Sequence, residues 1–218
     1  VAAGVPILTI YFVRLEKYVG FDTSLMHARL ATWKRILVIG LPAGGEFAIM
    51  FILLGVIYFI IRDFGASAQA GYGIGSRVMQ AIFLPAMAVA FATAPIAGQN
   101  VGAGHHDRVR ETFKSAALIS SVLMLMLTLM CQWRPQWFIH FFTGDPAVSA
   151  VGTQFLHIIS WNFVASGIIF TCSGIFQALG NTMPSLLSSA SRLVTYVAPA
   201  LWLASQPWLK LENLWFLS

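Results

Sequence analysis

Charge is what this sequence has least of. Of its 218 residues 10% are charged while 58% are hydrophobic, and an ordinary soluble domain carries about 25% charged residues. So few charges cannot cover the surface of a water-soluble fold. Cysteine is also scarce. The two present, Cys131 and Cys172, fall in different apolar segments without metal-ligand spacing, which excludes a disulfide framework or zinc site and leaves core packing. There is no serine, histidine and acid set, no paired carboxylates and no cysteine cluster, so no enzyme activity is expected. His105 and His106 are adjacent and point in different directions, a poor metal site. The Gly98, Gly102 and Gly104 series follows no strand and has no lysine in register, so it reads as a close helix approach and tight turn rather than a phosphate loop. No cofactor and no metal are expected.

Long apolar runs are what the sequence does have. Residues 36–61, 78–98, 115–133, 148–178 and 185–205 are each long enough to cross a hydrocarbon core of about 30 Å. They predict an all-α, polytopic transmembrane helical bundle whose first partner is the lipid bilayer. Residues 1–13 read as the end of a truncated transmembrane helix, without the basic region of a signal peptide. Residues 206–218 read as an outer loop and the start of another truncated helix. Between 14 and 35 lies a connector holding Arg14, Lys17, Arg29, Lys34 and Arg35, with Leu25, Leu30 and Ile36 spaced as on an amphipathic surface helix. The net charge is +5, but the basic residues gather in short connectors instead of one patch. That distribution argues against a nucleic-acid partner and places 14–35 and 99–110 in the cytoplasm. The glycine-bearing segment 62–77 and the aromatic segment 134–147 then belong outside.

Three motifs stand at cytoplasmic helix ends: Gly40-Leu41-Pro42-Ala43, Ala97-Gly98-Gln99-Asn100-Val101-Gly102-Ala103-Gly104, and Phe176-Gln177-Ala178-Leu179-Gly180-Asn181-Thr182 with Pro184 beyond. In this order and spacing they resemble those at helices seven, eight and ten of the multidrug and toxin extrusion (MATE) family. The resemblance covers essentially the whole chain. It implies one six-helix lobe of a twelve-helix transporter, the C-terminal one, running from the end of helix six to the start of helix twelve. The N-terminal lobe of the same polypeptide would be its partner, and neither half would transport alone. The implied activity is secondary active efflux at the bacterial cytoplasmic membrane, expelling cationic or amphipathic organic compounds against H+ or Na+. A lipid-linked oligosaccharide flippase of the same superfamily is the alternative within this resemblance, and a non-transporting membrane interaction subunit the alternative outside it.

Glu46 is the one acidic residue inside the predicted spans. A charge at the bilayer centre costs about 2.5 to 3.5 kcal/mol on insertion scales, so a carboxylate persists there where it meets a partner or water. It is therefore the ion-coupling candidate, with a structural hydrogen bond to a neighbouring helix as the plainer reading. Many drug-exporting MATE proteins carry a helix-seven glutamate one turn further from the proline, where this sequence has Met50. Gln154, His157 and Trp161 follow i, i+3, i+7 spacing with Asn162 beside them. With Met50 they form the candidate substrate-cavity set, and imidazole is the side chain that exchanges protons in the physiological range. Pro42, Pro85 and Pro95 are candidate conformational hinges, since proline frees backbone carbonyls within a helix.

Overall fold

A computed structural model describes residues 5–6, 9–10, 29–206 and 210–217, and among these there is no β-strand. The chain divides into two compact units, residues 1–37 and Val38–Ser218. In the first, residues 5–6 and 9–10 are helical, and the Thr9 hydroxyl donates to the Val5 carbonyl at 2.8 Å. The expected helix end at 1–13 and the connector at 14–28 otherwise lie outside the described residues. Residues 30–35, expected to close that connector, are already helical.

The helices in order are α1 (Leu30–Ile61), α2 (Ala66–Gly102), α3 (His106–Trp133), the short α4 (Pro135–His140), α5 (Pro146–Ile159), α6 (Phe163–Ala178), α7 (Met183–Ala204) and α8 (Leu211–Leu217). Two single 3-10 turns interrupt them, Arg62–Phe64 and Ser160–Asn162. Among the described residues four stretches are long and apolar enough to cross a membrane: Leu30–Phe64, Ala66–Gly102, His106–Trp133 and Pro146–Ala178. At 22 residues α7 is also long enough, at about 1.5 Å per residue, but more polar.

The segment 62–77, expected as an outer connector, is helical from Ala66 onward. Its glycines belong to a packing face instead of a loop. A Cβ on Gly71 would lie 2.6 Å from Val151 Cβ and 2.8 Å from the Val148 carbonyl oxygen, so α2 and α5 meet almost backbone to backbone. Gly174 does the same for α6, where a Cβ would come within 2.6 Å of the Ala90 carbonyl oxygen on α2. Without a hydrophobic drive between helices in lipid, close approach at small residues is what holds them together. The tightest bundle is accordingly α2 with α3, α5 and α6.

The burial pattern is that of a protein surrounded by lipid. Ser120, Thr128, Ser160 and Thr171 are buried, whereas Leu84, Phe91, Leu118 and Leu129 are more than half exposed. Small polar residues sit inside beside large apolar ones such as Phe155, Phe163 and Ile61, while many further large apolar side chains face outward, which suits a hydrocarbon solvent. An aromatic cluster closes one end of the core. Tyr72 stacks on Trp215 with ring centroids 5.4 Å apart, and Phe155 stands edge-on to both, at 5.2 Å and 5.0 Å. Helix α5 starts cleanly because Pro146 needs no N–H at the first position. The Asp145 carboxylate caps the turn, accepting from the Ala147 and Val148 amides at 2.8 and 3.4 Å.

Candidate functional site

Glu46 stands at the midpoint of the 32-residue α1 and is half-buried. Its Oε2 lies 2.9 Å from Ser173 Oγ on α6, which in turn lies 3.0 Å from Ser185 Oγ on α7. Both serines are 7% exposed. A hydroxyl has one hydrogen. With Glu46 ionised, Ser173 donates to the carboxylate and Ser185 must donate to Ser173. With Glu46 protonated, the carboxyl can donate to Ser173, which then donates to Ser185, so the chain reverses its polarity with one proton. Among the described residues the one ion pair is Arg62 with Asp63 at 3.3 Å, so no basic side chain neutralises Glu46. Among the described residues the carboxylate is thus held by the Ser173 hydroxyl, and the chain on to Ser185 links three helices.

Seven residues before Glu46, the backbone of α1 is tied to the same neighbours. The buried Thr182 hydroxyl donates to the Ile39 carbonyl at 2.8 Å. Pro42 offers no N–H to the Val38 carbonyl one turn before it, and Thr182, at the turn between α6 and α7, bonds the adjacent carbonyl of Ile39. α1 runs through Pro42, and α2 through Pro85 and Pro95, without interruption. The interrupted span is the one at 146–178, which contains no internal proline.

That interruption rearranges the second candidate face. Gln154 and His157 lie on α5, while Trp161 and Asn162 fall in the 3-10 turn that follows. Gln154 and His157 line an open cavity of about 1060 Å3 near the aromatic end, together with Gln132, His140 and Glu212. There Gln154 donates to the Glu212 carboxylate. Trp161 and Asn162 are exposed and do not line it, because the 3-10 turn breaks the i, i+3, i+7 register. Met50, exposed one turn beyond Glu46, does not line it either. The five proposed cavity residues therefore do not converge on one pocket.

The break itself is held by residues the sequence did not single out. Gln132 Nε2 on α3 donates to the His157 carbonyl at 2.7 Å and to Ser160 Oγ at 2.8 Å. Thr128 Oγ1 approaches the Ser160 carbonyl at 3.0 Å. Carbonyls outside a regular ladder need partners in lipid, and α3 supplies them. Polar Gln132 and Thr128 in an otherwise apolar run were the available signal.

The MatE family model matches residues 42–202, a range that includes Glu46, Ser173 and Ser185. The chain is 26% identical over 209 residues to "Probable multidrug resistance protein YpnP" of Bacillus subtilis, covering 94% of this chain and 44% of that protein. It is 24% identical over 186 residues to the "FAD transporter" of Shewanella oneidensis, covering 85% and 40%. In fold it matches a crystal structure of MATE in complex with MaL6 with a TM-score of 0.87 at 19% identity, over 99% of this chain and 49% of that one. The chain thus spans somewhat under half the length of these relatives. With most of its residues inside the matched range and its helices arranged as in that fold, the chain belongs to the MatE family of multi-pass membrane proteins.

Proposed function

We propose that the chain is one lobe of an ion-coupled exporter of amphipathic organic compounds in a bacterial cytoplasmic membrane, completed by a second lobe of the same polypeptide, with Glu46 as the coupling group. The observation that carries this reading is the carboxylate at mid-helix, bound among the described residues by the Ser173 hydroxyl and through it to Ser185. An ionised carboxylate needs water or donors at that depth, whereas a protonated one tolerates closure against an apolar surface. Proton uptake therefore changes which arrangement of the helices around Glu46 is stable, and export follows when cargo and proton favour opposite arrangements. The hydrogen-bonded chain of three oxygens supports a proton, and the same oxygens make Na+ the second candidate. Pro42, Pro85 and Pro95 are the bends that would let such a lobe rock, and Gln154 and His157 offer cargo a polar surface near one end.

The relatives' names divide between multidrug resistance and FAD transport, so substrate class is a separate question from coupling. The test is uptake by the complete polypeptide in sealed vesicles under an imposed proton or sodium gradient. Glu46→Gln should abolish gradient-driven transport while leaving gradient-independent exchange of cargo. Full gradient-driven transport in Glu46→Gln would refute the assignment.

A further inference from the structure

Arg192 lies near the middle of the 22-residue α7. The sequence had suggested that basic residues keep to helix ends, and this one does not. Its side chain is exposed, as are those of Ser188, Ser191 and Thr195. Spacings of three, four and seven put these four residues on one stripe of the helix. Ser191 donates to the Ser188 carbonyl at 2.7 Å and Thr195 to the Ser191 carbonyl at 2.9 Å, so these two hydroxyls are satisfied locally and the guanidinium is the charged group the stripe offers outward. No carboxylate among the described residues pairs with it. Arg192 stands two turns beyond Ser185, on the same side of α7 as the serine that joins the Glu46 chain.

A guanidinium at mid-span cannot face hydrocarbon cheaply, and such groups line water-filled cavities or meet an anion. We propose that the Ser188–Ser191–Arg192–Thr195 stripe is cavity wall and that Arg192 binds an anionic group, carboxylate or phosphate, on the transported compound. Its five N–H donors in a planar fork match either group in a bidentate way. The inference rests on the reading of this chain as an exporter lobe and narrows its cargo: an amphipathic compound with a negative end is favoured, and a purely cationic one is repelled.

The experiment uses the complete polypeptide in phosphatidylcholine vesicles with three probes: FAD, the anionic dye carboxyfluorescein and the cationic dye ethidium. Arg192→Gln should raise KM for FAD and carboxyfluorescein about tenfold, the scale of one lost charge-assisted hydrogen bond, without raising that for ethidium. Arg192→Lys should recover only part of the loss, restoring the charge without the bidentate fork. Equal losses for all three probes with lowered thermal stability would overturn the proposal in favour of a structural pair with an acid of the other lobe. A phenotype confined to vesicles containing phosphatidylglycerol would overturn it in favour of a lipid headgroup. Arg192→Cys, with Cys131 and Cys172 replaced by Ala, should react with a membrane-impermeant thiol reagent, and protection by FAD but not ethidium is expected. A thiol buried in lipid and unreactive would also overturn it. This labelling needs no transport, so Arg192 is tested even if the wild type moves no probe against a gradient, an outcome that would count against the exporter reading.

Discussion

The two sides of α6 are built on different chemistry. Toward α2, Gly174 meets the Ala90 backbone so closely that a methyl has no room. Toward α1 and α7, the neighbouring Ser173 reaches out through a hydroxyl to Glu46 and Ser185. One side is sealed by contact and tolerates no displacement, since packed cores have discrete arrangements. The other is joined by hydrogen bonds whose direction depends on a proton. The comparison teaches that α6 is joined to α2 by backbone contact and to α1 and α7 through hydrogen-bonding side chains.

Substitutions can break or sharpen that contrast. The largest effect is expected on the sealed side. Gly174→Ala and Gly71→Ala should each lower unfolding stability in detergent by about 3 kcal/mol, the upper end for overpacking, because the obstructing atoms are backbone carbonyls and, at Gly71, also the Val151 Cβ, none of which can rotate away. Thermal or denaturant unfolding of the purified chain measures this, and unchanged stability would show the contact to be looser than the geometry implies. Next comes Gln132→Leu, expected to cost about 2 kcal/mol by leaving the His157 carbonyl and the Ser160 hydroxyl with poorer partners. Thr182→Val should cost about 1 kcal/mol, the scale of one hydroxyl bond between membrane helices, and it should make the residues around Pro42 exchange amide hydrogens faster. The smallest stability effect, roughly half a kcal/mol, is expected from Ser173→Ala, yet that variant should weaken gradient-driven transport severalfold. A Ser173→Ala protein with normal coupling would mean the carboxylate acts without its hydroxyl chain.

How far the sequence reached follows from which signals are local. Apolar runs announced the helices, and the proline and glycine motifs at Gly40–Pro42 and Gly180–Thr182 announced the family, because each depends on neighbours in the chain. The loop expected at 62–77 was misread because glycine in a lipid-embedded helix marks close packing as often as a turn. Gly71 and Gly75, four apart on one face, were the usable clue. Glu46 was legible as an anomaly in charge, but Ser173 and Ser185 were not, since a serine in an apolar run looks the same whether it bonds its own backbone or a neighbouring carboxylate. The break at Ser160–Asn162 lay hidden for a similar reason: no proline or glycine marks it, and its support comes from α3, 28 to 32 residues away in sequence. The cavity set was read on an unbroken helical register, and the turn at Ser160–Asn162 divides it between α5 and that turn.

The place of Trp215 has a consequence for biosynthesis. Its indole, 1% exposed, is the flat partner on which Tyr72 rests, so Tyr72 waits for a residue translated some hundred and forty positions later. Until that ring arrives, Tyr72 and Phe155 keep an uncovered face, a surface that membrane chaperones or quality-control proteases can inspect. A stop codon or frameshift shortly before residue 211 would leave α1 to α7 in place and take away the ring against which Tyr72 and Phe155 pack.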